Sequence, residues 1–103
     1  MKVIISNKAR NAIDDFYREA LKRHEALDET TIKKKVRRLY AGIRELQSFY
    51  NIYPKARFVD EWKQKGYRDF KIEDFHIAYE LRKLQDGQPV IYVADARHSL
   101  LYH

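Results

Sequence analysis

The chain predicts an α+β fold: an N-terminal strand and a helical hairpin packed on one face of a mostly antiparallel sheet, completed by a C-terminal three-stranded meander. Three observations predict it. Apolar and polar residues alternate through Arg68–Ile72 and again through Phe75–Leu81, with Glu73-Asp74 between, and the apolar run Pro89–Ala94 follows a turn at Asp86-Gly87. Period-two runs joined by short turns are the pattern of neighbouring antiparallel strands. Upstream, two long stretches repeat apolar residues every three to four positions, which is helical spacing. A β-branched run, Val3-Ile4-Ile5, opens the chain, and as a lone strand it needs the edge of that sheet as its partner.

The 103 residues are read as one domain over 1–103, because a chain of this size buries roughly 60–70% of its unfolded surface only in a single core. Without cysteine there is neither a disulfide framework nor a thiolate ligand or nucleophile. The first apolar run is too short for a signal peptide or a membrane span, so a soluble cytoplasmic protein without a membrane partner is expected. Twenty-one Lys and Arg against fifteen Asp and Glu give a net charge of +6, a field that draws in polyanions or acidic partners. Most of the fourteen aromatic residues, eight Tyr, five Phe and one Trp, fall on apolar faces and are read as core.

In chain order, residues 2–5 form the first strand, and Ser6-Asn7 supplies acceptors for the free N–H groups of a helix. That helix is predicted from about Lys8 to about Glu25, with Ile13, Phe16, Tyr17, Ala20, Leu21 and Leu27 as its apolar positions. Asp28-Glu29-Thr30-Thr31 breaks it. A second helix of about five turns follows through Ile32, Val36, Leu39, Tyr40, Ile43, Leu46, Phe49 and Tyr50. The short break folds the two side by side. Gly42 weakens the second helix and marks a close approach of another backbone. Asn51–Pro54 ends it, and residues 55–66 read as a loop with a strand start or a helical turn. A two-residue turn at Glu73-Asp74 sets Ile72 against Phe75, Phe70 against Ile77 and Arg68 against Tyr79, all on one face.

No glycine-rich phosphate loop, HExxH or Ser-His-Asp signature is present. His98 and His103 lie five apart in a non-helical tail with no acidic residue placed to complete a metal site, so neither metal nor small-molecule cofactor is expected. Lys33, Lys34, Lys35, Arg37 and Arg38 form the densest basic run, either a solvated helix face or a contact surface for nucleic acid or an acidic partner. The chemically suggestive set is Arg68, Arg97, His98 and Tyr102, with Lys63 and Lys65 upstream. Cleavage of RNA by its own 2′-hydroxyl needs a base for that hydroxyl, cations for the phosphate and a proton for the leaving oxygen. Histidine, arginine, lysine and tyrosine supply these without metal; a merely basic sheet edge has the same composition.

The order strand, helical hairpin, meander, together with Gly66-Tyr67-Arg68-Asp69-Phe70-Lys71-Ile72, Phe75-His76-Ile77-Ala78-Tyr79-Glu80-Leu81 and Val90–Ser99, resembles the RelE/ParE superfamily of bacterial type II toxin–antitoxin toxins. In the RelE branch the resemblance implies a ribosome-dependent endoribonuclease that cuts mRNA in the A site. Arg68 then matches the strand arginine that holds phosphate, His98 or Arg97 the basic group after the last strand, Tyr102 the C-terminal aromatic, and Lys63 and Lys65 the upstream lysines. Ala96 stands where some members carry another basic residue. In the ParE branch the same scaffold poisons DNA gyrase and needs no nuclease residues. Both branches imply a cognate antitoxin as partner; the first adds the ribosome and mRNA, the second DNA gyrase.

Overall fold

The computed structural model describes residues 1–23 and 28–102. The predicted end of the first helix near Glu25, its apolar position Leu27, and His103 lie outside the described residues. The elements run β1 (Lys2–Ile5), α1 (Asn7–Arg23), α2 (Glu29–Arg44), α3 (Leu46–Phe49), α4 (Asp60–Lys65), β2 (Arg68–Ile72), β3 (Phe75–Lys83) and β4 (Pro89–His98), closed by a 3₁₀ turn at Ser99–Leu101. The four strands form one mixed sheet in the order β1-β4-β3-β2, with β1 parallel to β4 and the other pairs antiparallel.

Local chemistry explains the boundaries. Ser6 Oγ accepts the Ala9 N–H at 3.1 Å and donates to the Ala94 carbonyl at 3.0 Å, so the cap that starts α1 also ties it to β4. Asp28 caps α2 through the Thr30 N–H at 3.0 Å and the Thr31 hydroxyl at 3.1 Å. Gly66, in the left-handed region at φ 72°, ends α4. The two-residue turn gives the expected register: Arg68 faces Tyr79, Phe70 faces Ile77 and Ile72 faces Phe75.

The main core lies between the sheet and the pair α1 and α2. Ala9, Ile13 and Tyr17 of α1 and Leu39 and Ile43 of α2 meet Phe70, Phe75, Ile77, Tyr79, Ile91 and Val93 of the strands. Gly42 sits within this contact. What comes close to it is a side chain, Ile72, rather than the backbone that its place in the helix suggests: a Cβ on Gly42 would stand 1.6 Å from Ile72 Cδ1.

Besides the contact at Gly42, three features depart from the sequence reading: the helix predicted to run through Tyr50 is divided at Glu45 into α2 and α3, and the last strand and residues 55–66 also differ. The last strand does not end at Ala94 but runs on to His98, with Asp95, Ala96, Arg97 and His98 facing Ala78, Ile77, His76 and Phe75 of β3. The alternation fails there because of a β-bulge: Ala94 has no opposite residue on β3, so Ala94 and Asp95 both turn to the face away from the helical hairpin. That second face is not bare. Residues 55–66, ambiguous in sequence, make an isolated bridge from Lys55 to Arg68 and then α4. They lay Ala56, Val59 and the fully buried Trp62 over Tyr67, Ala78 and Ala94. Asp95 accepts the indole N–H of Trp62 at 2.9 Å, which satisfies both buried polar groups.

Candidate functional site

The predicted site residues divide between the two faces of the sheet. Arg68 is on the hairpin side, where its guanidinium donates to the Tyr53 carbonyl at the end of the apolar row. His98 is on the same side at the other end of the sheet. Arg68 is level with Tyr79 and His98 with Phe75, which puts them about 13 Å apart along the strands at roughly 3.3 Å per residue. The His98 ring stacks on Phe16 with centroids 3.9 Å apart, and its Nδ1 accepts the Leu100 N–H at 3.1 Å. Burial against these neighbours pulls its pKa below the usual histidine value, offset in part by Asp74 and reinforced by Lys35. His98 thus behaves as the cap of the 3₁₀ turn.

That turn delivers Tyr102. Ser99 donates from both its N–H and its hydroxyl to the Asp74 carbonyl, at 2.7 and 3.0 Å, and the chain then passes to the opposite face. There Tyr102 lies on His76, with ring centroids 3.6 Å apart and planes 5° from parallel. Asp69 binds both residues: Oδ1 is 3.0 Å from His76 Nδ1, and Oδ2 accepts the Tyr102 hydroxyl. Burial and then the Asp69 carboxylate raise the Tyr102 pKa, so the phenol keeps its proton. With Nδ1–H directed at Asp69, His76 Nε2 has no hydrogen-bond partner among the described residues, in a ring that lines an open cavity.

The cavity is about 250 Å³ and is lined by Pro54, Lys55, Arg57, Phe58, Asp69, Lys71, His76 and Tyr102. Lys71 and Arg97 flank His76 as its cross-strand neighbours on β2 and β4. Arg97 also lies over the Trp62 ring at 5.8 Å and reaches Glu61 at 4.0 Å. Of the predicted set, then, Arg97 and Tyr102 share the α4 face with His76, whereas Arg68 and His98 do not.

Lys63 and Lys65 are exposed on α4, and Lys65 is 3.8 Å from Glu61. The basic run of α2 lies on the hairpin side, away from the cavity. There Lys33 pairs with Glu29 at 3.4 Å, Lys35 with Asp74, and Arg38 with Glu73 at 3.7 Å. Lys34 and Arg37 are exposed and have no carboxylate partner among the described residues. No group of three or more His, Asp or Glu among the described residues is placed to hold a metal ion. No described helix is long and apolar enough to cross a membrane.

Asp69, Lys71 and His76 were open to sequence reasoning. They are the polar positions of the two alternating runs, and the register that aligns Phe70 with Ile77 also aligns Lys71 with His76 on the other face. Phe58 and Trp62 gave no such signal, because the segment that carries them has no clear period. No protein-family model matches the chain, and no curated protein or solved structure matches it significantly.

Proposed function

We propose that the chain is a toxin of the RelE/ParE kind: a metal-independent endoribonuclease that cuts mRNA on the ribosome in the cytoplasm and is neutralised by a cognate antitoxin. The observation that carries this reading is the His76 ring, oriented by Asp69, with Nε2 unpartnered beside a cleft whose rim bears Lys55, Arg57 and Lys71. A histidine held through one nitrogen by a carboxylate presents the other as a base. His76 Nε2 takes the proton of the 2′-hydroxyl as its oxygen bonds to phosphorus. The bond from phosphorus to the 5′ oxygen breaks, that oxygen leaves with a proton from water, and a 2′,3′-cyclic phosphate remains. Lys71 and Arg97, beside His76 on the neighbouring strands, offset the charge gained by the phosphate oxygens. Arg97 and Tyr102 keep roles at this site, and Arg68 and His98 support the scaffold. The order strand, helical hairpin, meander and the net charge of +6 support the same reading.

One observation favours the gyrase-binding alternative. Arg68 donates to the Tyr53 carbonyl and His98 stacks on Phe16, while a cavity of about 740 Å³ beside α1, lined by Phe16, Ala20, Ala96, His98 and the exposed Leu100 and Leu101 and rimmed by Asp15, Glu19, Arg23 and Arg97, offers a largely apolar surface to a protein. Under either reading an acidic amphipathic antitoxin segment complements the charge. Inducing the protein in cells separates the two. Translation arrest with cut mRNA supports the nuclease, gyrase-linked DNA breaks support the alternative, and unaffected growth counts against both.

A further inference from the structure

Phe58 is 68% exposed, yet the loop that carries it is fixed. Its neighbours Ala56 and Val59 are buried, and the backbone is pinned by Ala56 N–H to Tyr67 O, Asp69 N–H to Pro54 O and Lys63 N–H to Val59 O, each at 2.9 Å. One edge of the ring meets Tyr102, with centroids 5.9 Å apart at 74°, and the residue lines the cavity that holds His76. A large aromatic held rigidly in water without covering the core is available to a ligand. Its surroundings are mostly cationic: Arg57 precedes it, Lys71 lies on the rim, and Lys55, whose ammonium donates to the Gly66 carbonyl at 3.1 Å, keeps two further N–H donors, while the Asp69 carboxylate is taken up by His76 and Tyr102.

We infer that Phe58 is a stacking platform for one base of a single-stranded RNA, held so that the adjoining phosphates lie along Arg57, Lys55 and Lys71. Exposed aromatics set among cations are how proteins hold unpaired nucleotides, because every base has a π-face and every linkage a charge. At about 250 Å³, the cavity is smaller than the roughly 300–1,000 Å³ that encloses a whole small ligand. It suits one base of a longer strand. A duplex keeps its bases stacked on each other and offers Phe58 none. The inference rests on the nuclease reading and supplies what that reading lacks, a contact that sets the strand against His76.

The test uses a fluorescein-labelled six-nucleotide RNA with 2′-O-methyl groups, which cannot be cleaved by its own 2′ oxygen, and follows binding by anisotropy. Phe58→Ala and Phe58→Leu are expected to weaken binding roughly 5- to 150-fold, the range for loss of one stacked base. Phe58→Trp retains it, and thermal melting of all three variants matches the parent. Arg57→Ala lowers the salt dependence by about 0.7 in log–log slope, as for one lost phosphate contact on a single strand. If the parent binds and Phe58→Ala binds within twofold of it, the platform is wrong and the nuclease reading stands. If the parent fails to bind the RNA, or binds duplex DNA equally well, the platform is likewise overturned, while the nuclease reading stands or falls on cleavage of mRNA on the ribosome.

Discussion

Tyr102 and His76 lie face to face across the end of the sheet, their rings 3.6 Å apart, and share one carboxylate, Asp69. A residue from the C-terminal turn is thereby locked to the middle of the meander. The arrangement orients the imidazole, covers one side of it, and leaves Nε2 without a hydrogen-bond partner among the described residues.

Replacing Asp69 by Asn tests that orientation. The amide keeps the shape but no longer stabilises an Nδ1–H imidazole that gains a proton. RNA cleavage is expected to fall tenfold or more, with the melting temperature changed by only a few degrees. Equal cleavage by the Asn variant would remove Asp69 from the mechanism.

His98 carries a pH dependence of stability. Its folded pKa is lowered, first by burial, so the unfolded chain binds its proton more readily. Its contribution is complete above the unfolded value of 6.5 and is lost as the pH falls from there through the folded pKa. Protonation also removes the acceptor for the Leu100 N–H. The groups that face or share its surroundings are Asp74, Lys35, Asp15, Glu19, Arg23 and Arg97. The carboxylates whose pKa values are held low, Glu61 and Asp74, keep most of their contribution across this range and lose it mainly as the pH falls below their unfolded values of 4.5 and 3.8. Denaturant unfolding from pH 7.5 down to 5 should show a loss that His98→Gln lacks; parallel curves would refute it.

Gly42 and Ile72 form a steric pair. Gly42→Ala gains about 1 kcal/mol of helix propensity, but its Cβ would stand 1.6 Å from Ile72 Cδ1, and overpacking of this kind costs about 1–3 kcal/mol. The single variant should be destabilised. Adding Ile72→Val, which deletes Cδ1, should recover most of the loss, so a double-mutant cycle reads a favourable coupling. Additive effects would mean that Ile72 simply rotates away.

Trp62→Phe leaves the buried Asp95 carboxylate without its indole donor while keeping most of the apolar volume. The expected cost is about 1–3 kcal/mol, or roughly 4–8 °C in melting temperature per kcal/mol for a domain near this size. A change under 2 °C would show that solvent or Lys8, 3.6 Å from Asp95, takes over.

The strands β1, β2 and β3, the start of β4, the two long helices in outline and the β2–β3 register were legible because each follows a single period, with a two-residue turn between β2 and β3. What was hidden has one physical origin: the second face of the sheet. The bulge at Ala94 breaks the alternation that would have carried the strand on to His98, and α4 has only six residues, too few to display a helical period. The acid–base chemistry that the sequence places at His98 therefore falls on a ring that caps the 3₁₀ turn and lines the cavity beside α1, whereas the histidine held by a carboxylate beside a cationic cleft is His76, written into the alternation as an ordinary polar position. Tyr102 was legible as chemistry, but its partners were not, since they meet it only after the 3₁₀ turn rounds the sheet.

On the proposed mechanism His76, not His98, handles the proton. The direct measurement is cleavage of mRNA on programmed ribosomes by purified parent, His76→Ala and His98→Ala proteins, under conditions where all three are folded. His76→Ala is expected to lose about 10²–10⁴-fold in rate, the usual weight of a general acid or base. His98→Ala should cut at close to the parent's rate and leave the same 2′,3′-cyclic phosphate ends. Full activity in His76→Ala, with the loss in His98→Ala instead, would place the proton transfer on His98.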